Sequence, residues 1–358
     1  MATIKDVARR AGVAISTVSA VINRSAPVSE ETIERVNAAI AETGYTPHGA
    51  AQSLRSGRSR LIGLVVPNIA NPHFASVARQ VENACLRAGY VSVVYSTGQD
   101  ADRESQVLTM LRVQRVAGVI LVPARSDARH GAELLGQIRG PAVLLDMQVE
   151  GLPFEVVKAN NVMAGRLATG HLLGLGHSRI GIIDGIPGLA TSEDRRRGYT
   201  DALAAAGIAV DPDLTVHGRF DQEASRLAAL ALLGRGNRPT ALVTVSNMTT
   251  VGTLLAAREL GVDIPADISL VGIDDLELAP LLAVRPTVVV NPILEMADCA
   301  IRRLLDLIRG DPPDASAVHL FEPRLIERQS TLRRRSGDPG AGHDPTSGGG
   351  PVTADPAE

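Results

Sequence analysis

The chain has no tryptophan, only two cysteines and two lysines, and aromatic residues make up 2% of its 358 positions. Cys85 and Cys299 are too few for a disulfide framework and lack metal-ligand spacing, so both read as buried thiols. No apolar run approaches the ~20 residues that span a bilayer. The start, Met1-Ala2-Thr3-Ile4-Lys5-Asp6, has no apolar stretch of the signal-peptide kind, and a cytoplasmic location is expected. With Lys5 and Lys158 as the only lysines, no phosphate-binding loop ending in Gly-Lys-Ser/Thr exists. Gly181, Gly185 and Gly188 have the wrong spacing for a dinucleotide fingerprint, and no Gly-x-Ser-x-Gly elbow is present. His171 and His177 invite a metal reading, but both flank a glycine-rich helix end, where capping is the simpler role. These absences argue against an enzyme, and no cofactor or metal is expected.

What is present is ordinary for a globular protein: 45% apolar and 21% charged residues, over a length that suggests two or three domains. The net charge of −3 is unevenly spread. Residues 1–60 hold eight Lys/Arg against five Asp/Glu, whereas the remainder holds 28 against 34. A small basic head on an acidic body fits a polyanion-binding module joined to something else.

Three regions separate. Residues 1–45 read as short helices: Thr3 opens one from Ile4 to about Ala11, Gly12 breaks it, and a second runs from about Ser16 to Asn23. Ser29 then caps a third, with Ile33, Val36 and Ile40 as its apolar stripe and Gly44 at its end. Residues 46–60 carry too few large apolar groups to fold alone and read as a linker. From Leu61 onward, strand candidates (Leu61–Val66, Val91–Ser96, Gly118–Val122, Ala142–Leu145, Ile180–Asp184, Ala241–Val245, Ile268–Ile273) alternate with helical stretches such as Ala75–Ala88, Ala164–Leu175, Arg195–Ala206, Gln222–Leu233 and Thr250–Leu260. That alternation predicts two parallel sheets covered on both faces, with a break near residues 155–162. The final segment, 333–358, is rich in Gly, Pro, Asp and Ser and reads as a disordered tail.

A helix, a tight turn at Gly12 and a second helix opening with small hydroxyl residues make a helix-turn-helix, whose second helix can enter the major groove. The string Thr3-Ile4-Lys5-Asp6-Val7-Ala8, Ala11-Gly12-Val13, Ser16-Thr17-Val18-Ser19 and Val21-Ile22-Asn23 resembles the head of the lac/gal repressor family. Val28-Ser29-Glu30-Glu31-Thr32 and Gly44-Tyr45-Thr46-Pro47 continue the likeness, which runs on to about Thr331. The resemblance implies a dimer on a pseudo-palindromic operator in double-stranded DNA, with Ile15, Ser16 and Ala20 facing bases and Thr17, Ser19 and Asn23 holding the backbone. Thr3 and Tyr45 belong to the same implied DNA surface, as do Ala51, Leu54 and Arg55 in the linker. That linker is expected to form a hinge helix on DNA, with Leu54 wedged into the minor groove. Ile15 and Ala20 cannot make bidentate bonds to guanine or adenine, so readout should lean on thymine methyl groups and DNA shape.

For the body the resemblance implies a two-lobed, doubly wound α/β fold like that of periplasmic sugar-binding proteins, spanning 61–332. The chain would cross between lobes near 158–160, 287–291 and 318–322. Ligand contacts are implied at His73, Phe74, Asp146, Asn160, Thr191, Arg195, Phe220, Asn247 and Asp274. Carboxylates that accept from hydroxyls, a rigid guanidinium fork and apolar ring faces suit a small polyol. Asn160 and Ser246-Asn247 stand where the family often has carboxylates, and Lys158 lies close by, so the effector is expected to be a sugar, a sugar acid or a sugar phosphate. The whole reads as an effector-responsive repressor. Corepressor-driven and dual regulators also occur in the family, and a solute-binding transport protein, which would share only the body, is the competing class.

Overall fold

The computed structural model describes residues 2–23, 26–45 and 59–334, except for the side chain of Asn23. Residues 46–58 of the expected hinge segment, with Ala51, Leu54 and Arg55, and residues 335–358 of the expected tail lie outside the described residues. The chain divides between Arg60 and Leu61 into two compact units.

The first unit holds three helices: α1 (Ile4–Ala11), α2 (Ile15–Asn23) and α3 (Glu30–Thr43). At the start of α1 the Asp6 carboxylate accepts from both the Thr3 N–H (2.9 Å) and the Thr3 hydroxyl (2.7 Å), and these bonds hold its pKa below the ordinary value. Gly12, at φ +65°, supplies the left-handed turn that lets α2 start three residues later, a conformation that costs other residues energy. Val7, Ala8, Ala11, Val18, Val36 and Ala39 form the core. Ile33, expected on the buried stripe of α3, is half-buried and stays outside this cluster.

The second unit contains two six-stranded sheets. The first, with strand order β11-β5-β4-β3-β1-β2, is parallel throughout. It is built from β1 (Leu61–Val66), β2 (Val91–Ser96), β3 (Gly118–Leu121), β4 (Ala142–Leu145), β5 (Glu155–Ala159) and β11 (Val318–Phe321). Helices α4 (Pro72–Arg87) and α11 (Ile293–Arg309) cover one face, and α5 (Ala101–Val113) and α6 (Ala128–Gln137) cover the other. The second sheet has the order β12-β10-β9-β8-β6-β7, from β6 (Ile180–Asp184), β7 (Thr215–His217), β8 (Ala241–Thr244), β9 (Ser269–Ile273), β10 (Thr287–Val290) and β12 (Arg324–Ile326). It is mixed rather than parallel, because β12 runs antiparallel to β10. Its helices are α7 (Asn161–Gly174), α8 (Ala190–Ala205), α9 (Gln222–Leu233) and α10 (Asn247–Leu260).

The stretch read from sequence as the break between the two sheets, near 155–162, is where the chain leaves the first sheet, and it contains a strand not read from the sequence, β5, followed directly by α7. Glu155 and Lys158 interrupt its apolar run, which hid it. Glu155 is buried and takes two bonds from the Arg303 guanidinium (2.8 and 2.9 Å), with His319 at 3.3 Å. This clamp joins β5 to α11 and β11, and the Arg303 bond holds the Glu155 pKa below its ordinary value against the opposing effect of burial. His171 and His177 do not cap the end of α7. His177 bonds the Thr240 hydroxyl (3.0 Å) and the Leu332 carbonyl (3.0 Å), and His171 bonds Thr331 (3.1 Å), which fastens the last described segment to the second lobe. Among the described residues no group of side chains could hold a metal ion, and no helix is long and apolar enough to cross a membrane.

Helices α7 and α8 approach closely through two glycines. A Cβ on Gly165 would lie 2.0 Å from the Arg195 carbonyl oxygen, and one on Gly198 would lie 2.0 Å from that of Val162. Backbone cannot yield to such contacts without moving the helices apart. Gly198→Ala is therefore expected to lower the free energy of unfolding by about 1–3 kcal/mol, measured by urea titration, while Gly170→Ala, where the space is open, leaves it unchanged or raises it.

Candidate functional site

Both sheets present the carboxyl ends of their strands to one cleft, the place where open α/β sheets bind ligands. The cavity there measures about 230 Å³. Eight of the nine residues expected at the ligand line it: His73, Phe74, Asp146, Thr191, Arg195, Phe220, Asn247 and Asp274. Asn160 does not. Its side-chain oxygen accepts from the Met163 N–H at 3.1 Å as the N-cap of α7, and its amide donates to Glu322, so both polar ends are engaged away from the cavity. Lys158, expected to add positive charge nearby, also lies outside the lining and faces Asp194 at 3.9 Å.

Arg195 anchors the site. It is 3% exposed; its Nε donates to Asn161 Oδ1 at 2.8 Å, and its Nη1 bonds the Val245 carbonyl and lies 3.7 Å from Asp274 Oδ2. Its guanidinium carbon sits 6.0 Å from the centre of the Phe220 ring. Asp274 also accepts from Asn291 Nδ2 at 2.8 Å and faces His73 Nδ1 at 3.9 Å. His73 and Phe74 stand edge to face, with ring centres 4.9 Å apart. Asn247 Nδ2 donates to Asn71 Oδ1 at 2.8 Å, a direct bond between the lobes. Gly185 makes room for Phe220, since a Cβ there would lie 2.4 Å from the ring and 2.3 Å from the Ser192 hydroxyl. Beneath them Asp184 is fully buried, and burial raises its pKa against the opposing Gly185 N–H bond and the charges of His217 and Arg196. Thr191, 4% exposed, lines the cavity, and its buried hydroxyl has no hydrogen-bond partner among the described residues.

Residues missed from sequence include Asn68, Asn71, Gln99, Met147, Arg219 and Asp221, all lining the cavity. One signal could have found them: each lies within a few positions of a strand's carboxyl end. A second signal is in the backbone. Six non-glycine residues among those described have positive φ, and five of them, Gln99, Asp146, Arg219, Phe220 and Asp274, line the cavity. Such conformations cost energy and gather where function fixes the backbone.

In the head, α2 exposes Ile15 (40%) and Ser16 in its first turn, while Val18 is buried. Thr17, Ser19 and Ala20 are half-buried along the same helix. Thr3 is engaged by Asp6, and Tyr45 packs at the edge of the core. The first-turn surface of α2 is therefore uncharged.

Comparison with known proteins meets the same two parts. Residues 3–48 match the model of bacterial regulatory proteins of the lacI family, and residues 169–331 match a periplasmic binding protein-like domain. The ribose operon repressor of Haemophilus influenzae is 37% identical over 330 residues, covering 92% of this chain and 98% of the relative. The chain belongs to the LacI family of bacterial regulatory proteins. The repressor PurR of Pectobacterium atrosepticum is 35% identical over 335 residues, with 92% and 97% covered. Among solved structures, the lac repressor dimer bound to operator and the anti-inducer ONPF matches with a TM-score of 0.83 at 28% identity, covering 92% of this chain and 99% of that one. This LacI-family chain thus has a helix-turn-helix head and a periplasmic-binding-protein-like body.

Within that body Asn161 is the residue on which the arginine's placement turns. Asn161→Ala leaves the buried Nε of Arg195 unpaired and should reduce stability by about 1–3 kcal/mol. Equilibrium unfolding in urea measures it, and a loss under about 0.5 kcal/mol would mean that Arg195 is held without Asn161.

Proposed function

We propose that the protein is a transcriptional repressor that binds its operator as a homodimer and changes its grip when a small polyhydroxylated effector enters the cleft. The observation that carries the effector reading is the lining itself. Carboxylates of Asp146 and Asp274 accept from hydroxyls, Arg195 and Asn247 donate, the unpartnered Thr191 hydroxyl does either, and Phe74 and Phe220 offer apolar faces. At about 230 Å³ the cavity is below the ~300–1,000 Å³ of sites for drug-sized ligands, which favours a monosaccharide or its acid. Arg219 lines the cavity and makes no ion pair among the described residues, which favours a carboxylate or phosphate on that sugar over a neutral one. His73, the one histidine among the lining residues, stands beside Phe74 and Asp274, and in this reading the lining groups serve ligand binding.

Calorimetry with neutral sugars, aldonic and uronic acids and sugar phosphates tests the site. An anionic sugar should bind, and Arg219→Met should weaken it by about tenfold or more while leaving neutral sugars unaffected. Binding of neutral sugars alone rejects the anionic assignment, and binding of none rejects the cleft as a sugar site.

Dimer formation is supported by exposed apolar side chains around the edge strand β2: Leu86 on α4, Val91 and Val94 on β2 itself, and Met110 and Val113 on α5. In the second lobe Leu278 and Leu281 are 66% and 80% exposed. As a DNA-binding regulator the protein would act in the cytoplasm. Inserted in the major groove, the uncharged first turn of α2 would meet thymine methyl groups through Ile15 and Ala20, with Ser16 adaptable to either edge. On a site selected from random duplexes, replacing the half-site thymines with deoxyuridine should weaken binding by about 5- to 30-fold in a gel shift, at about 1–2 kcal/mol for lost methyl contacts. Undiminished binding would exclude methyl readout.

A further inference from the structure

The chain passes between the lobes three times: from β5 to α7 at 159–160, from β10 to α11 at 291–292, and from β11 to β12 at 322–323. Asparagine side chains make ties at the first and second passages, and the tie at the first reaches the third. At the first, Asn160 donates through Nδ2 to both Glu322 carboxylate oxygens (3.0 and 3.2 Å), which lie on the third. Its backbone N–H donates to the Phe321 carbonyl at 2.8 Å, while its Oδ1 caps α7 on the far side. The next residue, Asn161, holds Arg195. At the second passage Asn291, 4% exposed, donates to Asp274. Arg195 and Asp274 in turn face each other across 3.7 Å in the cleft.

We propose that Asn160 is a positioning residue that sets the angle between the lobes: it ties the first passage to the third through Glu322, while Asn161, beside it, holds Arg195, and Asn291, on the second passage, holds Asp274. An amide suits this place because it is donor and acceptor at once. A carboxylate at position 160 would still cap α7 but would meet Glu322 with like charge. Orientations of two lobes differ by small free energies, so one bond to a carboxylate changes their populations severalfold. This inference deepens the effector reading and rests on it only for what moves the lobes, not for the tie itself.

The test uses the full chain without any effector. Spin labels at Arg129→Cys on α6 and Ala209→Cys in the second lobe, both exposed positions, report the interlobe distance by pulsed electron resonance; Cys85 and Cys299 are buried. Labelled protein is diluted in unlabelled protein so that each dimer carries one labelled copy. Asn160→Asp should shift or broaden the distance distribution and move the ratio of its populations about fivefold. Glu322→Gln added to it should restore the parent distribution, with donor and acceptor exchanged. Glu322→Ala, which leaves the α7 cap intact, should shift the distribution as Asn160→Asp does. A distribution unchanged in both single variants, or one that Glu322→Gln fails to restore, overturns the proposal. These outcomes are separate from the sugar screen: the tie fails here and the cleft's ligand fails there.

Discussion

Parallel strands must turn abruptly where they end, and in this protein that constraint shapes the cleft. Just past the carboxyl ends of β4 and β9, at Asp146 and Asp274, the chain leaves the sheet in the left-handed region before it returns as β5 and β10. Short polar side chains tolerate that region better than branched ones, which is a local reason for aspartate at both places. Both carboxylates line the cavity, and that of Asp274 faces His73 of the other lobe at 3.9 Å. Arg219 and Phe220 enter the same left-handed region after β7. Backbone strain and ligand chemistry are thus one feature seen from two sides.

The strain is held by rigid packing behind it. Val243, Val271 and Val289 fill the centre of the second sheet, and the close crossing of α7 and α8 fixes Arg195 from below. In the first lobe, Glu104 accepts from the Ala124 N–H at 2.6 Å while His130 lies 2.7 Å from its other oxygen. Burial works against the charge of His130, but Glu104, with Asp127 and Glu133, outweighs it and holds the imidazole pKa above its ordinary value. Buried polar groups in both lobes therefore brace the loops that face the ligand.

The interior of the fold was legible in the sequence because its strands are unbroken aliphatic runs: Leu61–Val66 and Ala142–Leu145 read as strands from composition alone, and both begin and end where expected. Helix starts were less legible. The apolar period placed four helices at Ala75, Ala164, Arg195 and Thr250, but they begin at Pro72, Asn161, Ala190 and Asn247. The difference has one cause. The first turns of α4, α8 and α10 face the cleft, and that of α7 holds Arg195, so their residues answer to the site rather than to the core. Short β7, β10, β11 and β12 escaped notice for a related reason: three or four residues at a sheet edge or a lobe passage carry too little periodicity to read. Asn160 was misread because its motif position implied a ligand contact, whereas the local hydrogen bonds engage it in capping α7 and tying the hinge.

Threefold passage between the sheets also means that neither lobe is a contiguous stretch of gene. The first is assembled from residues 61–159 and 293–321, the second from 161–290 and 324–334. Recombination at a single point cannot exchange one lobe and leave the other untouched; at least one sheet becomes hybrid, with edge strands from one parent laid against centres from the other. New ligand preferences are more readily reached by substitution in the turns after the strands, where a change alters the cavity and leaves the shared scaffold whole.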